Sequence, residues 1–124
     1  MAGNKAFGDL IRKRREEKKR RNPAFSLRQF AAAIDVSPTF LSRMETGEFD
    51  PPSPEKIVKM AELLGLDRDD LLVLAQKPDP DAEQFMRERP RAVAAFLRTA
   101  REFDLSEAEL MKMTRDLRQR KSDG

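Results

Sequence analysis

Few residues in this 124-residue chain have the makings of reactive chemistry. It contains no Cys and no His. Disulfides, thiolate nucleophiles, Cys-based zinc sites and the usual general base are therefore absent. The one dense carboxylate cluster, Asp67, Asp69 and Asp70, stands where a helix N-terminus favours negative charge. No Gly-rich phosphate loop is present, and no nucleophile has a nearby His. Catalysis, a metal and a cofactor are not expected. What remains is hydrogen-bonding chemistry. In the stretch from Ser37 to Thr46, Leu41 and Met44 point inward, which turns Pro38, Thr39, Ser42, Arg43 and Thr46 outward. Small hydroxyls beside a single guanidinium fork match phosphate oxygens and the acceptor edges of nucleobases.

Two short elements must hold that face. Leu27, Phe30, Ala31 and Ile34 recur at helical spacing and make one apolar stripe. Ile34-Asp35-Val36 interrupts the pattern, and Ser37-Pro38 restarts it with an N-cap and a proline at the first helical position. Two short helices joined by a tight turn, the second with a small polar outer face, form the layout of a helix-turn-helix DNA reader.

The segment SLRQFAAAIDVSPTFLSRMETGE resembles the core of the Cro/C1-type (XRE) helix-turn-helix regulators, with its polar N-cap, its Ala at the helix crossing and its S-R-M-E-x-G ending. The likeness continues through PPSPEKIVKMAELLGLDRDDLL and covers residues 5–76. One departure is Asp35 where the family usually has Gly; Asp tolerates the left-handed conformation that the turn requires. The resemblance implies an all-α chain. A five-helix lambda-repressor-like DNA-binding domain spans 1–77 and a linker 78–81. A C-terminal region of about three helices, expected to dimerise, spans 82–124. It also implies that the first turns of the third helix read base edges in the major groove, through Thr39 and Arg43 with Pro38 and Ser42 beside them. A bidentate Arg43 fork on guanine would be worth about 1–3 kcal/mol of discrimination; the alternatives are a phosphate contact or a salt bridge. Ser26 and the N-terminus of the second helix are expected to hold a phosphate, with Arg28, Ser37 and Thr46 as further phosphate contacts. Arg15 and Glu45 occupy the places of a structural ion pair that braces the first helix against the reader. Phe40 is read as core packing.

Charge distribution adds to this. Residues 1–22 carry nine Lys/Arg against three acids, residues 23–77 six against nine, and residues 78–124 ten of each. A basic segment beside a reading helix suggests phosphate contacts that carry affinity without sequence information. The first helix, residues 6–19, has Phe7, Leu10 and Ile11 as its buried stripe, and most of its charges suit i,i+4 pairing on a solvated face. The connection from Lys19 to Phe25 is about five residues longer than such a domain needs. Arg20 and Arg21 there are candidate phosphate contacts, the alternative being a mobile insertion. The loop after the third helix carries Glu48 and Asp50, so DNA contacts from it would have to use backbone N–H groups.

Helix starts repeat one rule. Phe25-Ser26…Phe30, Val36-Ser37…Leu41, Leu66-Asp67…Leu71 and Leu105-Ser106…Leu110 each combine an N-cap with a hydrophobic staple, and Gln29 can complete a capping box. Ser53-Pro54 opens a fourth helix with the stripe Ile57, Met60, Ala61 and Leu64. Leu71 to Leu74 make a fifth that is too apolar all round to face only water. Beyond the linker, Val93, Phe96 and Leu97 form one narrow stripe and Leu110, Met113 and Leu117 another. A unit of about 40 residues with two such stripes buries too little to stand alone. A homodimer through this tail is expected, which would also place two readers on a palindromic operator; the alternative is a hairpin folded on its own N-terminal domain. Residues 119–124 look frayed. No apolar run approaches the about 18 residues of a membrane span, and the N-terminus lacks a signal-peptide core. The expectation is a cytoplasmic repressor that binds double-stranded DNA. A second reading is an antitoxin or a defence or prophage regulator whose C-terminal helices bind a toxin or a regulatory metallopeptidase.

Overall fold

Short polar side chains start most of the helices. In the computed structural model, which describes residues 3–123, Asn4 Oδ1 accepts the N–H of Phe7 at 3.0 Å and opens α1, Lys5–Lys19. Asn22 Oδ1 accepts from Ala24 at 3.0 Å and starts a 3₁₀ turn, Pro23–Phe25. Ser26 Oγ accepts from Gln29 at 3.2 Å ahead of α2, Leu27–Ala33. Ser37 Oγ accepts from Phe40 at 3.0 Å ahead of α3, Pro38–Glu45. Ser53 precedes α4, Pro54–Leu64, without a side-chain cap bond. Asp67 Oδ1 accepts from Asp70 at 2.9 Å and opens α5, Arg68–Ala75, so the carboxylate cluster serves the helix start. The remaining helices are α6, Pro80–Glu88; α7, Pro90–Glu102; and α8, Glu107–Asp123. All the regular structure among the described residues is helical, and no described helix is long and apolar enough to cross a membrane.

The stripes read from the sequence become the core of the first unit. Phe7 and Ile11 of α1, Phe30 and Ala31 of α2, Leu41 and Met44 of α3, the Ile57–Leu64 stripe of α4, and Leu71 and Leu72 of α5 are all buried. Full burial of each larger side chain contributes about 1.5–3 kcal/mol. Leu10 lies only half-buried against this core. Val73 is 76 % exposed, so it does not meet the core as the apolar run Leu71–Leu74 was expected to. Phe25 and Phe30 stack at 6.1 Å, as the staple requires. Only half of the Ser26 capping box forms, because Ser26 N–H already donates to the Pro23 carbonyl of the 3₁₀ turn. The Ser106–Glu109 box is complete, with bonds of 3.1 and 3.3 Å.

The chain divides into two compact units between Glu83 and Gln84, within α6. Pro80 and Asp81, expected in the linker, begin α6, since proline at a first helical turn loses no hydrogen bond. Arg68 Nη2 bonds Asp79 at 2.7 Å and Asp81 at 3.0 Å and ties that first turn to α5. In the second unit no described residue is buried, and Phe96, Leu97 and Leu117 are 48, 47 and 60 % exposed. Residues 119–123 continue α8 instead of fraying; Gly124 lies outside the described residues.

Candidate nucleic-acid interface

The outer face of α3 is only as useful as its orientation is fixed, and two contacts with α1 fix it. Gly8 is buried, and a Cβ there would lie 2.4 Å from the Met44 carbonyl oxygen and 2.6 Å from that of Glu45. The two helices therefore meet backbone to backbone. About two turns on, Arg15 grips Glu45 with a bidentate fork: Nε to Oε2 at 2.8 Å and Nη2 to Oε1 at 2.9 Å. The two residues are 5 and 3 % exposed. The hydrogen-bonded Glu45 carboxylate raises the Arg15 pKa above its ordinary value, against the opposing effect of burial. Arg15 Nη1 also bonds the Phe25 carbonyl at 3.1 Å. The long connection after α1 thus contains a 3₁₀ turn whose Phe25 carbonyl is held by the same guanidinium.

The turn between α2 and α3 takes the form that Asp35 allows. Asp35 has φ +58°, and Lys56 Nζ of α4 donates to its carbonyl at 2.7 Å. Beyond it, Pro38, Thr39 and Arg43 are exposed and Ser42 is half-buried, which places the four proposed base readers on one outward face. Phe40 is half-buried against the core, its ring 5.7 Å from that of Phe49.

The expected phosphate contacts fare unevenly. Ser26 and Ser37 accept backbone bonds through Oγ, and each keeps a hydroxyl proton for an outside acceptor. Arg28 is exposed near the start of α2. Arg20 and Arg21 line a shallow concavity with Arg14, Glu17 and Lys18, while Lys18 lies over the Phe25 ring at 5.7 Å. Much of the α1 charge is paired along the helix, as Lys5–Asp9, Arg12–Glu16 and Arg14–Glu17. The Thr46 hydroxyl donates to the Arg43 carbonyl at 3.0 Å and caps the helix end. The loop after α3 is corrected. The N–H groups of Gly47, Glu48 and Phe49 donate to the carbonyls of Met44 and Arg43, so those three donors are already committed.

Sequence reasoning missed Gly8 and the Phe25 carbonyl. Gly8 had a signal, since glycine inside a helix costs about 1 kcal/mol against Ala and so points to a packing reason. In the second unit, Val93 is half-buried while Phe96, Leu97, Leu110, Met113 and Leu117 are exposed. No group of described residues is arranged to hold a metal ion.

Two crystal structures of the clp gene regulator ClgR from Corynebacterium glutamicum are similar to the chain. The first is 32 % identical, with 59 % of this chain and 86 % of that chain covered and a TM-score of 0.45. The second is 26 % identical, with 78 % and 92 % covered and a TM-score of 0.46. No curated protein matches. The family model described as a helix-turn-helix domain matches residues 6–74, more than half of the chain, and the chain accordingly belongs to the helix-turn-helix domain family.

Proposed function

We propose that the chain is a sequence-specific transcription regulator that lays α3 in the major groove of double-stranded DNA and represses as a homodimer on a palindromic operator. The observation that carries this reading is the outward face of α3, where Thr39 and Arg43 stand exposed on a helix braced by Gly8 and by the Arg15–Glu45 pair. Family membership and the similarity to a gene regulator support it. Ser26, Ser37, Arg28, Arg20 and Arg21 are the proposed phosphate contacts, which set position and affinity without reading sequence.

Dimerisation rests on the second unit. Its apolar side chains at Val93, Phe96, Leu97, Leu110, Met113 and Leu117 have no buried core of their own. A second copy would cover them and set two readers at the spacing of a palindrome. The same open face supports a second reading, in which a toxin or a regulatory metallopeptidase docks there.

The test is binding of the purified chain to DNA upstream of its own gene, against scrambled DNA of equal length, across a salt series. Salt-sensitive binding that favours the native DNA is expected. Arg43→Ala should cut that preference about 5- to 150-fold, the loss of one bidentate base contact. Sedimentation of the same protein should give the mass of two chains. Equal, weak binding to both DNAs would refute the reading.

A further inference from the structure

Arg43 does not stand alone on the outer face of α3. Its Nε lies 3.9 Å from Glu48 Oε2, and its guanidinium carbon lies 5.7 Å from the Phe49 ring centroid. Phe49 in turn leans on Phe40 with ring centroids 5.7 Å apart. The loop that carries Glu48 and Phe49 is built on Arg43 itself. The Arg43 carbonyl accepts the N–H of Glu48 at 2.9 Å, the N–H of Phe49 at 3.2 Å and the Thr46 hydroxyl at 3.0 Å. Gly47 makes the reversal with φ +85°, where a Cβ would crowd Lys5 at 3.2 Å. Asp50 Oδ1 accepts the N–H of Gly3 at 2.7 Å and holds the far end. Backbone bonds thus set the carboxylate beside the guanidinium.

Stability does not explain the pair. Both side chains are more than half exposed, and such pairs contribute little to folding. Nor does the loop offer a phosphate the N–H groups of residues 47–49, which are spent on Met44 and Arg43. It presents the carboxylate of Glu48 next to the residue proposed to read bases.

We propose that Glu48 is a specificity-determining residue that acts through Arg43, an inference that rests on the DNA-reading function above. Glu48 lies on the Nε side of the guanidinium at 3.9 Å and the Phe49 ring flanks it at 5.7 Å, which leaves the terminal nitrogens as the fork for a guanine edge. On the wrong sequence Arg43 would leave Glu48 for a phosphate, and the carboxylate, held in place by the loop, would face the DNA's like charge without its partner. Glu48 therefore penalises non-specific binding more than cognate binding, a repulsive element of the kind that specific interfaces use.

The test compares wild type, Glu48→Gln and Glu48→Ala, as full chains, on upstream and scrambled DNA across a salt series, with thermal melts alongside. The near-isosteric Glu48→Gln keeps the loop and removes the charge. Its affinity for scrambled DNA should rise about three- to sevenfold at low salt, the repulsion of two charges about 7 Å apart in a near-aqueous medium. Cognate affinity should rise less, so the preference for upstream DNA should fall, with the melting temperature unchanged. The salt slope on scrambled DNA should steepen by about one phosphate contact. An unchanged preference, or equal loss on both DNAs, overturns the role of Glu48 while leaving the DNA-reading function standing. A wild type without any preference overturns both.

Discussion

Replacing Glu45 with Gln keeps the shape of the side chain and removes its charge, and the structure says what this should cost. Arg15 would remain 5 % exposed, with its Nε and Nη2 donors aimed at an amide in place of a carboxylate. One of those donors would then face an NH₂ group. A buried ion pair broken on one side costs about 3–5 kcal/mol, a loss of about two to four orders of magnitude in the folding constant. Replacing the pair as a whole, with Arg15→Met and Glu45→Leu together, removes both buried charges and restores packing. It also takes the donor from the Phe25 carbonyl, which Arg15 Nη1 holds at 3.1 Å; a stranded carbonyl costs about 1–3 kcal/mol. The double variant should therefore be more stable than Glu45→Gln. The chain has no Trp and no Tyr, so urea unfolding is best followed by far-UV circular dichroism. For a domain of this size 3 kcal/mol corresponds to a fall in Tm of about 12 °C or more. A cost below about 1 kcal/mol for Glu45→Gln would refute the claim that this pair braces α1 against the reader.

Two further outcomes follow from neighbouring contacts. Gly8→Ala sets a Cβ against the Met44 and Glu45 carbonyl oxygens; overpacking of this kind costs about 1–3 kcal/mol and should shift α3. Helix propensity alone would make the same change stabilising by up to about 1 kcal/mol, so a more stable Gly8→Ala would disprove the close approach. Arg68 holds the Asp79 carboxyl below the ordinary carboxylate range through the 2.7 Å bond, helped by the Asp81 N–H. A carboxylate whose pKa is lowered on folding contributes stability that is present above its unfolded pKa. That contribution is lost as pH falls through the folded value. An NMR titration of Asp79 should therefore show a depressed midpoint, returning upward in Arg68→Ala; no change on that substitution would exclude the clasp.

What could be read from residues alone was local. The caps at Ser26, Ser37, Asp67 and Ser106 and the apolar stripes of α1 to α5 act over three or four residues, and that range is set by helix geometry. The left-handed turn at Asp35 came instead from the resemblance, through the Gly that the family usually has there. Gln76 and Asp104 adopt the same conformation, at φ +57° and +50°, without a comparable signal in the sequence. The Arg15–Glu45 pair, 30 positions apart, came from family resemblance and not from spacing.

Tertiary structure alone decided which polar groups remain available. Thr46 and the N–H groups of residues 47–49 look open in the sequence but are consumed by the end of α3. For Arg43 the sequence leaves a salt bridge among the alternatives but names no partner; Glu48 and Phe49 meet it once Gly47 reverses the chain. A residue's type states how many hydrogen bonds it can make. Whether those bonds are already spent depends on where the folded backbone brings their partners, and a one-dimensional pattern does not carry that information.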